Sequence, residues 1–115
     1  MLRAFLKAKL YPVRVTGKNL EYEGSLGLSR ALIKEAGLAA GERVLVVNLA
    51  NGERFETYLI EEEEEGACWL KGGAARLGEI GDRLIVMAFV YLEASESITP
   101  LIIKVDSDNS LLEKT

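Results

Sequence analysis

The chain has no histidine among its 115 residues, one cysteine and two prolines. Without histidine the commonest general base and the commonest metal ligand are missing, so Ser-His-Asp and Cys-His nucleophile systems are excluded. A zinc site would have to be built from Cys68 and carboxylates, a poor ligand set for that metal, and no metal is expected. The single Cys68 has no intrachain partner for a disulfide. Long apolar runs are also missing: the longest, Leu84 to Leu92, is strand-sized, far short of the roughly 20 residues that cross a bilayer. The opening segment MLRAFLKAKL lacks the apolar core and small-residue cleavage site of a signal peptide, so a cytoplasmic location is expected and no membrane partner. Net charge is −4 with scattered cations, which gives no electrostatic footprint for nucleic acid.

What is present fits one domain spanning residues 1–115. Hydrophobic residues make up 49% of the chain, enough for a single core at this length. From Arg3 to Thr16 apolar and polar residues alternate, with Leu6, Ala8 and Leu10 opposed to Lys7 and Lys9, and this period of two predicts a half-buried strand. Pro12 has no amide to donate and implies an edge, a bulge or a bend. Ser29 to Gly37 predicts a short helix capped by Ser29, with Leu32, Ile33 and Ala36 on one face and Gly37 ending it. Glu42–Leu49 and Phe55–Ile60 predict two strands joined at Asn51-Gly52, a strong hairpin signal.

The five glutamates Glu61 to Glu65 repel one another and are expected to form a solvated loop. Ala67–Lys71 predicts a short strand, Gly72-Gly73 a tight backbone, Arg83–Leu92 the most buried strand, and Leu101–Val105 a last strand before a polar turn at Asp106–Asn109. Gly41-Glu-Arg-Val-Leu-Val46 is echoed by Gly81-Asp-Arg-Leu-Ile-Val86, 40 residues later (41 to 81). Two β-rich halves with matching turns point to a pseudo-symmetric closed barrel.

Gly24-Ser25, within LEYEGSLG, reads as a turn when taken alone. Its company is what raises it. Lys9, Arg54, Thr57, Tyr58 and Gly72-Gly73-Ala74-Ala75 are polar or backbone-accessible positions inside otherwise apolar strands. Together with Leu6-Lys-Ala-Lys-Leu10, Val15-Thr16, Leu20-Glu-Tyr-Glu-Gly-Ser25, Ala36-Gly37, Asn51-Gly-Glu-Arg-Phe-Glu-Thr-Tyr58, Gly72-Gly-Ala-Ala-Arg76 and Gly81-Asp82, the sequence resembles the pyruvoyl-dependent aspartate 1-decarboxylases. The pieces keep the same order and nearly the same spacing over about the first 90 residues.

The resemblance implies a mainly β fold, a small double-psi β-barrel with one or two short helices. It implies an inactive proenzyme, assembled as a homotetramer, that cuts itself between Gly24 and Ser25 into chains 1–24 and 25–115. The Ser25 hydroxyl would attack the Gly24 carbonyl, and elimination and hydrolysis would leave Ser25 as a pyruvoyl group, with neither metal nor pyridoxal phosphate. Glycine at position 24 admits backbone conformations closed to other residues. A Schiff base between pyruvoyl and the amine of L-aspartate would then act as the electron sink that decarboxylation requires, giving β-alanine for pantothenate biosynthesis.

By the same resemblance Thr57 hydrogen-bonds near the scissile carbonyl, where a donor stabilises an oxyanion, and Tyr58 returns a proton to Cα. Lys9 and Arg54 would hold the two substrate carboxylates; a charge pair at about 4 Å gains roughly 4 kcal/mol at an effective dielectric of about 20, before desolvation. Gly72, Gly73 and Ala74 would bring backbone amides to the ligand, and Tyr22 and Glu23 flank the cut. Cys68 and Trp69 are expected to pack rather than react.

The sequence departs from the family pattern at Tyr11, where histidine is usual, at Lys71, where asparagine is usual, and at Gly73, where alanine is usual. The acidic stretch before it is about one residue shorter. These positions leave open a relative that decarboxylates another acidic amino acid, or an unprocessed barrel with a non-catalytic binding role.

Overall fold

In the computed structural model, which describes all of residues 1–115, alternating patterns become strands and the glycine-bearing joints become turns. The elements are β1 (Arg3–Arg14), β2 (Gly17–Asn19), β3 (Ser25–Ser29), α1 (Arg30–Glu35), β4 (Arg43–Asn48), β5 (Arg54–Glu62), β6 (Cys68–Lys71), a short 3-10 helix (Gly72–Leu77), β7 (Arg83–Leu92), β8 (Leu101–Val105) and β9 (Leu111–Lys114). The protein is mainly β with two short helices, as expected. Its strands lie in the order β2-β6-β3-β5-β4-β7-β1-β8-β9.

That order rolls up on itself. β1 and β2 are separated only by Val15 and Thr16, yet β1 pairs with β7 while β2 pairs with β6. One stretch of chain therefore belongs to both ends of a six-stranded run, and Thr16 seals the join. Its amide donates to the Cys68 carbonyl at 2.8 Å and its hydroxyl accepts from the Cys68 amide at 2.8 Å.

The sequence echo is a structural one. Gly41 and Gly81 have φ of +89° and +94°, a region that suits glycine. The Gly41 amide donates to Leu59 O and the Leu59 amide to Glu42 O. In the other half the Gly81 amide donates to Val15 O and the Val15 amide to Asp82 O. β5 thus corresponds to β1–β2, β6 to β3, and β7 to β4. Val46 and Val86, equivalent in the echo, face each other across the β4–β7 pair, so the approximate two-fold axis passes between them. The parallel pairs β3–β5 and β2–β6 flank the antiparallel β3–β6 pair, interlocking the halves as the double-psi expectation requires.

Inside lies a core of 22 residues, including Leu10, Leu26, Leu28, Leu59, Leu70, Leu84, Val46 and Val86, all at 0% exposure. Each such leucine contributes roughly 1.5–3 kcal/mol on burial. α1 forms as expected: Ser29 Oγ accepts from the Leu32 amide, Leu32 and Ile33 are buried, and Gly37 follows at φ +66°. The Pro12 irregularity is a register shift between Leu10 and Val13.

Three expectations are corrected. Arg83–Leu92 is not the most buried strand: it alternates, with Leu84, Val86 and Ala88 inside, whereas every residue of β3 is buried. Leu101–Val105 is not the last strand, since the polar turn leads into β9. Glu61 and Glu62 are not loop residues but the end of β5, because pairing with Leu28 and Ser29 carries the strand into the acidic run. Arg30 compensates that charge from α1, 3.2 Å from Glu61 and 3.7 Å from Glu63.

The turn after β8 is tied inward by buried Asn109, at φ +59°. Its amide group donates to the carbonyls of Arg14 and Gly66, and its carbonyl oxygen accepts from the Arg14 amide, each at 2.8 Å.

Cys68 packs as expected, and burial pushes its thiol up to about 12. Above its ordinary value of 9.0 the unfolded chain loses this proton while the folded chain keeps it, so stability falls as pH rises from about 9 toward about 12. Urea unfolding at pH 8 and pH 10.5 should show a larger alkaline loss for the parent chain than for Cys68→Ala. Equal losses would contradict the buried-thiol assignment.

Candidate active site

Residues 20–24 are bent, irregular chain outside the strands, and pairing resumes at Ser25. There β3 is gripped on both sides: Leu26 pairs with Leu70 of β6 and with Leu59 of β5. Ser25 is 0% exposed, and its Oγ lies 3.4 Å from the Glu23 carbonyl oxygen. The Gly24–Ser25 bond therefore joins an unpaired lead-in to a fixed strand.

Gly72 presses on that lead-in. It has φ +64°, and a Cβ placed on it would collide with the Tyr22 carbonyl oxygen and with the nitrogen and Cα of Gly24. Glycine is required here twice over, for its φ and for the contact. The 3-10 helix that follows is held from behind by buried Asn48, which donates to Leu77 O at 3.1 Å and to Asp82 Oδ2 at 2.9 Å.

Between the helix and β5 lies a cavity of about 550 Å³ lined by Gly24, Phe55, Thr57, Tyr58, Gly73 and Ala74, among others. Its size falls in the range of roughly 300–1,000 Å³ usual for small-molecule sites. Thr57 is half-buried and faces inward beside Val44, while Tyr58, 38% exposed, stands at the rim. The parallel register sets Tyr58 one residue before the Leu59–Leu26 pair, next to Ser25. Gly24, Thr57, Tyr58, Gly73 and Ala74, separate in sequence, thus share one chamber, and Gly72 braces it from outside the lining.

Lys9 and Arg54 lie elsewhere in the single chain. Arg54 opens β5 on its exposed face, opposite Val47. Lys9 is half-buried in β1, with its ammonium 5.0 Å from the centre of the Tyr11 ring. The cross-strand row Lys9–Met87–Leu45–Glu56 places it three strand spacings from β5, about 14 Å. Both cations stand on the outward surface, which also carries Leu45, Met87, Phe89 and Tyr91.

One pair at the site escaped the sequence reading. The Lys71 ammonium lies 2.8 Å from Glu62 Oε2, with the two side chains only 12% and 21% exposed. That oxygen finds no aligned hydrogen-bond donor, so the contact is a charge pair. The carboxylate covers the bare Cα of Gly27. The alternation Tyr58, Ile60, Glu62, running on into the glutamates, was the available signal.

The model of the family described as aspartate decarboxylase matches residues 1–112. The chain is 46% identical to the aspartate 1-decarboxylase of Haloquadratum walsbyi over 114 residues, 99% of each chain. It is 46% identical to that of Kosmotoga olearia over 115 residues, 99% of this chain and 100% of the relative. Against the aspartate 1-decarboxylase of Campylobacter jejuni strain RM1221 the identity is 40% over 112 residues, 96% of this chain and 89% of the relative.

Gly72→Ala should destabilise the chain by about 1–3 kcal/mol, because both φ and the Gly24 contact oppose a side chain. Gly73→Ala, with open space around its Cα, should change stability by less than about 0.5 kcal/mol. Denaturant unfolding of the two variants checks the contrast.

Proposed function

The chain belongs to the aspartate decarboxylase family, and from that premise we propose that it cuts itself between Gly24 and Ser25 and then converts L-aspartate to β-alanine and carbon dioxide. The observation that carries the reading is the convergence of Gly24, Thr57 and Tyr58 on one cavity, with buried Ser25 at its edge.

In the self-cleavage the Ser25 Oγ adds to the Gly24 carbonyl carbon, the C–N bond breaks, and the acyl group of Gly24 passes from nitrogen to oxygen as an ester. Loss of the Ser25 Cα proton expels the Gly24 carboxylate and ends the first chain. Water then replaces the amino nitrogen, which leaves as ammonia, and the second chain begins with a pyruvoyl group. Thr57, inward-facing beside Gly24, supplies a hydroxyl donor for charge that develops on the carbonyl oxygen. Both the small size of residues 72–74 and the chamber beside Gly24 fit a three-carbon group built in place.

The pyruvoyl ketone supplies an electron sink for the carbanion that loss of carbon dioxide leaves behind. The chain's own residues do the rest. Tyr58 Oη delivers a proton to the substrate Cα, and the backbone of Gly73 and Ala74 bounds the substrate. Lys9 and Arg54 take the carboxylates, Arg54 as a fork and Lys9 as a point charge. Since neither lines the chamber of the single chain, they serve a chamber completed by another copy of the chain. A homotetramer, with the apolar outer surface as its contact, accounts for that placement. The pathway assignment is pantothenate biosynthesis in the cytoplasm.

Mass spectrometry of the purified chain should give residues 1–24 and a second fragment beginning at residue 25 that lacks ammonia relative to an N-terminal serine. Ser25→Ala should stay whole and release no β-alanine, and Thr57→Val should process slowly. A parent chain still intact after prolonged warm incubation would overturn the reading. Carbon dioxide release measured over aspartate, glutamate and their amides tests the substrate separately.

A further inference from the structure

Residues 20–24 have no strand partner, so something other than a sheet must hold the scissile bond in place. Two contacts do so. Gly72 supports the backbone at Tyr22 and Gly24. The Lys71 ammonium stands 4.4 Å from the centre of the Tyr22 ring, three residues before Ser25, and 6.0 Å from that of Trp69. A cation over an aromatic face attracts it, more strongly when water is partly excluded. Lys71 is also the residue directly opposite Ser25 in the β3–β6 register, and directly opposed residues share a sheet face. Glu62, from β5, fixes the ammonium at 2.8 Å. Three strands thus converge on one ammonium beside the bond.

We propose that Lys71, anchored by Glu62, is a positioning residue for the self-cleavage, gripping the Tyr22 ring and so fixing the Glu23-Gly24-Ser25 segment for attack. The inference rests on the self-processing reading. Intramolecular attack on a carbonyl depends steeply on orientation, and a loop tethered at one point only would swing about it. The grip also crosses the cut: Tyr22 lies in the first product chain, Lys71 and Glu62 in the second.

The test uses the full chain in two backgrounds. With Ser25 intact, conversion to two fragments is followed by mass spectrometry. Lys71→Met and Tyr22→Leu should each slow it by roughly three- to thirtyfold, the rate equivalent of one cation–ring attraction. Lys71→Arg and Tyr22→Phe, which keep cation and ring, should process close to the parent rate. The double variant Lys71→Met/Glu62→Gln removes both charges without stranding one, and should remain slow while folding. In the Ser25→Ala background, chymotryptic release of residues 1–22 should be faster with Lys71→Met than without it. Parent-like processing by Lys71→Met or by the double variant overturns the proposal, as does slow processing by Lys71→Met with a parent-like Tyr22→Leu. A parent chain that never cleaves overturns the self-processing reading, and the proteolysis arm then still decides whether the grip exists.

Discussion

The pairing of one stretch of chain on two sides governs the rest of the structure. Residues 3–19 meet β7 through β1 and β6 through β2, and the Thr16–Cys68 hydrogen bonds make the turn between them rigid. With that join made, β3 has no open face and no open edge, which is why all five of its residues are buried although two are serines and one is glycine. Ser25 inherits this fixity as the first residue of β3. The bond on its N-terminal side does not, and the site is organised around that boundary between a constrained strand and an unpaired lead-in.

Such a boundary makes demands on its neighbours. Gly72 must be bare, Asn48 must hold the 3-10 helix against it, and Lys71 must be charge-compensated where only an eighth of its surface meets water. None of these features adds apolar burial, and each constrains what the core can be. The ion pair is a case in point: an isolated charge at that depth costs several kcal/mol, so Lys71 and Glu62 are tolerable only together. Outside the barrel the balance differs. Lys9 and Arg54 stand on the outward surface, Lys9 beside the Tyr11 ring and Arg54 exposed, where a charge needs no buried partner.

Much of this was legible before folding. The alternation through Arg3–Arg14, the Asn51-Gly52 turn, the Ser29 cap and the Gly41/Gly81 echo are local signals, and each has a conformational cause that acts within a few residues. The run Ser25–Ser29 alternates Leu26 and Leu28 with Ser25, Gly27 and Ser29, but it is short, and its glycine and serines read as a turn. Glu62 was obscured for another reason: its charge suits solvent, and only the partner Lys71, reached across the sheet, makes its burial acceptable. Asn48 and Asn109 are likewise polar residues whose placement follows from carbonyls supplied by distant segments. At the site itself, Gly24, Thr57, Tyr58, Gly73 and Ala74 were named from resemblance and meet at one cavity. That Lys9 and Arg54 stay outside its lining in the single chain could not be read from their spacing.

The two halves of the barrel give it two ends of the same kind. By the correspondence that matches Leu59 with Val15, Tyr58 corresponds to Arg14 and Ser25 to Gly66. Asn109 bonds to Arg14 and Gly66, the counterparts of Tyr58 and Ser25, and so occupies the place that corresponds to the neighbourhood of the cavity at the opposite end. The turn of the C-terminal hairpin β8–β9 therefore covers one of the two equivalent ends and leaves the other uncovered by any such segment. A scaffold that is nearly symmetric by construction is thereby made one-sided, and the segment that does so belongs to neither of its repeats.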